Sequence, residues 1–110
     1  MLPVYICEDD ARIRDELQTY LEKQILIEGY DMALSLVTSR PEDIIEAVQK
    51  TPGRGIYFLD VELNGETMDG LSLGQAIRKF DNRGFIIYVT AYKALAFESF
   101  RYHLEALAYI

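Results

Sequence analysis

Short apolar runs and helical stretches alternate along this chain from end to end. Val4-Tyr5-Ile6-Cys7, Ile56-Tyr57-Phe58-Leu59 and Phe85-Ile86-Ile87-Tyr88-Val89 are continuous apolar runs. Strands covered on both faces have this pattern, and parallel strands are usually covered on both faces. Over residues 30–38 the pattern differs. Met32, Leu34 and Leu36 alternate with Asp31, Ala33 and Ser35, which predicts a strand nearer a sheet edge. Between the runs the period becomes helical. Ile13, Leu17, Leu21 and Ile25 recur at four-residue intervals beside Tyr20, predicting a helix over 11–27. Ser39-Arg40-Pro41-Glu42 reads as a capping box with proline in the first turn, opening a helix to about Gln49 that Pro52-Gly53 ends. Leu73, Ile77 and Phe80 place a third helix over 71–80. A fourth is expected over 93–103, and residues 107–110 read as the start of a last strand.

The predicted order is β-α-β-α-β-α-β-α-β, which argues an α/β fold with a parallel sheet and right-handed crossovers. A chain of 110 residues with short units favours a flavodoxin-like (βα)5 arrangement, strand order 2-1-3-4-5. In that order the first and third strands are neighbours, and ligands bind at the carboxyl edge between them. Glu8, Asp9 and Asp10 follow the first strand, Asp60 ends the third and Thr90 ends the fourth. Glu8, Asp9 and Asp60 should therefore converge in one crevice, with Thr90 a strand further on. Asp10 has a simpler role open to it, the N-cap of the first helix. Asp69-Gly70 likewise reads first as a turn and helix start.

Composition narrows the partners. Eleven Lys and Arg against eighteen Asp and Glu give a formal charge of −7, a surface that repels a nucleic-acid backbone. The single cysteine, Cys7, can form no intrachain disulfide and reads as a small core residue, in keeping with a cytoplasmic setting. No apolar run approaches the roughly 18 residues that cross a membrane, and no secretory leader is expected at the start of the chain.

Three carboxylates crowded together need protons or a cation, and a hard divalent ion with oxygen ligands suits them best. Magnesium (Mg2+) accepts a site of few carboxylates completed by water and phosphate oxygens. Asp60 can also act as a nucleophile, taking a phosphoryl group as an acyl phosphate while a metal offsets charge on the group in transfer. A hydroxyl at Thr90 could donate to a phosphoryl oxygen.

The pieces Ile6-Cys7-Glu8-Asp9-Asp10, Tyr57-Phe58-Leu59-Asp60-Val61, Met68-Asp69-Gly70 and Val89-Thr90-Ala91 together resemble the response-regulator receiver domain of two-component signalling. The resemblance runs the length of the chain. It implies Asp60 as phosphoacceptor, Glu8 and Asp9 as the acidic pair, Asp9 as a direct metal ligand and the backbone carbonyl of Glu62 as another. It also implies Thr90 as switch hydroxyl, Tyr109 as switch aromatic and a sensor histidine kinase as phosphodonor. Cys7-Glu8-Asp9-Asp10 and Phe58-Leu59-Asp60-Val61-Glu62-Leu63 look like the branch that carries LytTR-type DNA-binding domains, which includes peptide-pheromone quorum-sensing regulators. The chain departs from the family at Asn64, where proline is usual, with a longer loop from there to Gly70, and at Ala108, where an acidic residue is common. By family spacing the active-site lysine and fifth helix are expected beyond Ile110. The chain thus reads as one receiver domain over 1–110, incomplete at its end, with a DNA-binding output domain expected in a longer parent protein. Self-association through the fourth helix and last strand is expected to cover the apolar surface left by the missing helix.

Two other readings compete. One is a phosphohydrolase of the haloacid-dehalogenase kind, with Glu8 and Asp10 in the place of its paired acids. The other is a pseudo-receiver that only binds partners. The residues favour a phospho-accepting signalling switch rather than a turnover enzyme.

Overall fold

The structure is a computed structural model, described over residues 1–63 and 68–89. Its elements are β1 (Leu2–Cys7), α1 (Ala11–Glu28), β2 (Met32–Thr38), α2 (Pro41–Lys50), β3 (Ile56–Asp60), α3 (Gly70–Arg78) and β4 (Phe85–Val89). The four strands form one parallel sheet in the order β2-β1-β3-β4, as expected for a flavodoxin-like fold. Expectations for the fourth helix and fifth strand fall outside the described residues.

Local chemistry accounts for three of the helix ends among the described residues. Asp10 caps α1, its Oδ1 accepting from the backbone N–H of Arg12 at 3.0 Å and of Ile13 at 3.1 Å. Gly29, at φ 68°, closes the other end in the left-handed conformation that glycine adopts freely. Asp69 caps α3 by accepting from Ser72 N–H at 2.8 Å. The start of α2 differs from the expected capping box. The N-cap is Arg40, which makes no side-chain cap bond, and Ser39 lies outside the helix. Thr38 does the work from the end of β2. Its Oγ1 accepts from Arg40 N–H at 3.0 Å and donates to Asp43 Oδ2 at 2.6 Å.

The helices divide between the two faces of the sheet. Leu17 and Leu21 of α1 pack on Val4, Ile6, Met32, Ile56, Phe58 and Val89. Ile44 and Val48 of α2, with Leu73 and Ile77 of α3, pack on Tyr5, Cys7, Tyr57 and Leu59. Every residue of β3 is buried. The edge strand β2 breaks its own alternation. Register runs Val4↔Leu34 and then Tyr5↔Leu36, so Ser35 is an extra residue in a bulge. Leu34 consequently faces α1 while Leu36 faces α2, although their spacing alone assigns both to one face. Pro3 is accommodated in β1 because pairing with β3 begins only at Val4↔Ile56, leaving β1 locally an edge.

At the amino ends of the strands lies a polar network with no short-range sequence signature. Asp81 is 4% exposed, and its Oδ2 accepts from Tyr57 Oη at 2.7 Å and Gly55 N–H at 2.8 Å. Its Oδ1 accepts from Arg83 N–H at 3.2 Å. Tyr57 stacks on Tyr5 with ring centroids 5.0 Å apart. Burial, then the Asp81 hydrogen bond, pushes the Tyr57 hydroxyl pKa well up, so it remains a donor. Replacing Asp81 by Ala strands a buried hydroxyl and a buried amide. Asp81→Ala is expected to lower stability by about 3 kcal/mol in urea unfolding. A loss below about 1 kcal/mol would show that the network is dispensable.

Candidate functional site: an acidic crevice at the carboxyl ends of β1 and β3

Parallel pairing of β1 with β3 places Cys7 opposite Leu59, so the residues that follow, Glu8 and Asp60, leave the sheet side by side. Asp9 joins them. One carboxylate oxygen from each of Glu8, Asp9 and Asp60 lies within 4.8 Å of the others. Glu8 is fully buried and Asp60 is 3% exposed, while Asp9 is half-buried. The crevice predicted from the strand order therefore forms from the three residues predicted to build it.

The backbone around these acids is tightly held. Glu8 N–H donates to the Thr38 carbonyl at 3.0 Å, continuing the β1–β2 ladder past the strand end. Arg14, from the second turn of α1, donates from Nη1 to the Glu8 carbonyl at 2.9 Å. Glu8 Oε2 accepts from Asp10 N–H at 3.1 Å. Asp60 Oδ1 accepts from Glu62 N–H at 3.1 Å, and Val61 N–H donates to the Val89 carbonyl at 3.2 Å. Glu62 itself is exposed at the edge of the crevice. Thr90 follows directly on Val89, but Thr90 and Tyr109 lie outside the described residues, as does the loop 64–67.

Burial dominates the electrostatics of Asp60. Desolvation, reinforced by side-chain hydrogen bonds with Glu8 and Asp9, pushes its pKa up to about 8, against an opposing contribution from the Glu62 N–H. In this cluster a proton or a cation must offset the second and third negative charges. The donor set is all oxygen and all carboxylate, which matches a hard divalent cation and offers nothing to a soft one.

Arg14 is a site residue with no sequence signal, because its role is toward a backbone carbonyl. Gly70, part of the Met68-Asp69-Gly70 motif and a turn and helix start by sequence, has a further role toward the site. Its N–H donates to the Val61 carbonyl at 3.0 Å, and α3 begins directly against the backbone of Asp60. A Cβ at Gly70 would collide with the Asp60 carbonyl oxygen and stand 2.8 Å from its carbon and 2.9 Å from Val61 Cα. Both neighbours are backbone, so α3 or the end of β3 must shift. Gly70→Ala is expected to cost about 2–3 kcal/mol of stability and to displace the Asp60 side chain. Denaturant unfolding and the amide shifts of residues 60–62 would check it.

Asp10, one of the paired acids in a dehalogenase-type reading, is exposed and occupied as the α1 cap, whereas Asp60 stands at the centre of the crevice. Among the described residues no helix is long and apolar enough to cross a membrane.

Comparison with known proteins agrees with this geometry. Residues 4–110 match the family model of the response regulator receiver domain. The chain is 35% identical over 109 residues to accessory gene regulator protein A of Staphylococcus aureus, covering 99% of this chain and 45% of that protein. The protein of the same name from Staphylococcus epidermidis is also 35% identical, with the same coverage. The chain thus spans about half the length of these curated relatives. A solved fusion carrying a yeast Spc42 trimeric coiled-coil segment superposes with a TM-score of 0.66 at 22% identity, over 82% of this chain and 53% of that one, a likeness of fold. This chain belongs to the response-regulator receiver domain family.

Proposed function

We propose that the chain is a phospho-accepting receiver that takes a phosphoryl group from a sensor histidine kinase onto Asp60, with magnesium held at the crevice. The convergence of Glu8, Asp9 and Asp60 within 4.8 Å, with Asp60 buried at the end of a central strand, carries this reading. Glu8 and Asp9 with Asp60 would hold the ion, joined by the backbone carbonyl of Glu62 and by water. Bound there, it would offset negative charge on the transferring group. An Asp60 oxygen attacks phosphorus as the bond to the nitrogen of a donor imidazole protonated at its other ring nitrogen breaks, leaving an acyl phosphate and a neutral histidine on the kinase. Arg14 and the Thr38 carbonyl keep the Glu8 backbone in place while this happens. Thr90 as switch hydroxyl and Tyr109 as switch aromatic rest on the sequence resemblance. So does the expected self-association through the fourth helix and last strand.

The relatives bear the name of gene regulators and are about twice as long as this chain. That supports a cytoplasmic parent protein in which this domain, residues 1–110, controls a DNA-binding output domain in a peptide-pheromone quorum-sensing circuit. The chain's own charge of −7 leaves contact with DNA to that other domain.

Acetyl phosphate with magnesium, read by intact mass, tests the central claim. One phosphoryl group is expected on wild type and none on Asp60→Asn. Omitting magnesium should slow the reaction by roughly 100-fold or more, as befits loss of the charge that steadies the group in transfer. Phosphorylation of Asp60→Asn at another carboxylate would reject the assignment. A domain that folds but is never modified would favour the pseudo-receiver reading.

A further inference from the structure

Positive charge is locally in excess around the amino ends of β3 and β4. Carboxylates gather at the carboxyl end, while Arg54, Arg78, Lys79 and Arg83 gather around the amino ends of β3 and β4. Among the described residues none of these four cations has a carboxylate partner within ion-pair distance, whereas Arg12 and Lys50 each pair with a glutamate. The nearby acid, Asp81, is buried and engaged with Tyr57, Gly55 and Arg83 N–H. Arg78 spends its Nη1 on the Gly84 carbonyl at 2.7 Å. In a chain of charge −7 this is a local reversal of sign.

A cavity of about 300 Å3 opens here, lined by Gly53, Arg54, Phe80, Asp81, Asn82 and Arg83. Arg54 is held in place at its rim. Its guanidinium lies over the Phe85 ring, 5.0 Å from the centroid, and its Nε donates to the Arg83 carbonyl at 3.1 Å. Those contacts fix the plane of the fork without neutralising it, which is the pre-organisation that favours bidentate binding of an oxyanion. Gly53, at φ 139°, has nothing within 4 Å of where a Cβ would stand, so its side of the cavity stays open. Phe80, 45% exposed, lines the same cavity as the two arginines.

We propose that this cavity binds a phosphate-bearing small anion, with Arg54 and Arg83 as its charged contacts. The site is distinct from the acidic crevice and stands whether or not Asp60 accepts a phosphoryl group. The phosphate could belong to inorganic pyrophosphate or to a nucleotide whose ring packs on Phe80. The volume is at the small end for ligand sites and suits either.

Calorimetric titration at low ionic strength, with EDTA present so that no metal bridges to the acidic crevice, separates the outcomes. The probes are pyrophosphate and ADP. Saturable binding at about 1 mM or tighter is expected, weakened about tenfold by Arg54→Gln and by Arg83→Gln and unchanged by Arg12→Gln. Amide shifts should centre on residues 53–55 and 80–83. ADP binding more tightly than pyrophosphate, with the difference abolished by Phe80→Ala, assigns the nucleotide. Equal affinity assigns the inorganic ion. Thermal unfolding of each variant checks that it is folded, and Arg83→Gln serves if Arg54→Gln is not. Absence of saturable binding by wild type, or binding that folded Arg54→Gln and Arg83→Gln leave intact, overturns the proposal.

Discussion

In metal-free solution Asp60→Asn is expected to be more stable than wild type above about pH 8 and to lose that advantage on acidification. The ordinary aspartate value is 3.8, and burial with its acidic neighbours raises Asp60 to about 8 in the folded state. Between those values the folded chain holds a proton that the unfolded chain has released. Folding therefore takes up a proton, and stability falls as pH rises through that window. The contribution is fully present below about pH 4 and gone above about pH 8. Asparagine keeps the shape and removes the titration. Because the Glu62 N–H still stabilises the ionised carboxylate, the gain is expected to be on the order of 2 kcal/mol, or roughly 10 °C in unfolding midpoint. Melting curves from pH 5 to pH 9 with EDTA would show the two proteins diverging as pH rises. Parallel curves would mean that Asp60 is not held protonated in the fold.

Magnesium should bind with an affinity that climbs with pH and levels off near pH 8. A cation held by Asp60 would replace its proton, so binding is expected to release about one proton and the apparent affinity to change by about tenfold per pH unit below that value. Stabilisation by magnesium follows the same curve, since an ion that binds only the folded state adds stability with the logarithm of its saturation. Asp9→Ala removes one of the carboxylates proposed to hold the ion and should weaken binding by at least about tenfold. Tyrosine fluorescence or amide shifts during magnesium titrations at several pH values would measure both effects. An affinity flat in pH, or undiminished in Asp9→Ala, would place the ion elsewhere.

Much of the site was legible because its logic is short-range. Asp10 and Asp69 cap the helices that follow them, and both roles depend on an N–H two or three residues away. The convergence of Glu8, Asp9 and Asp60 follows from strand order, because a parallel sheet in this order has one place where the carboxyl ends of two neighbouring strands present acids. The α2 capping box failed for a non-local reason. Thr38 sits at the end of β2, anchored against Glu8 N–H through its carbonyl, so its hydroxyl reaches Arg40 N–H and Asp43 before Ser39 can.

The amino-acid sequence alone determined that the chain alternates strand and helix, that the sheet is parallel, and that acidic residues stand at strand ends. Periodicity records which side of an element is buried, and a parallel sheet puts all strand ends of one kind on one edge. The tertiary structure decided the rest. It set the bulge at Ser35 that sends Leu36 across the sheet, the approach of Gly70 to the Asp60 backbone, and the union of Asp81 with Tyr57 and Gly55, 24 and 26 residues away. It also set the burial that makes Asp60 a proton holder and the gathering of arginines at the opposite pole. These depend on distances between segments remote in the chain. A carboxylate's environment, unlike its position, exists only once the strands around it have paired.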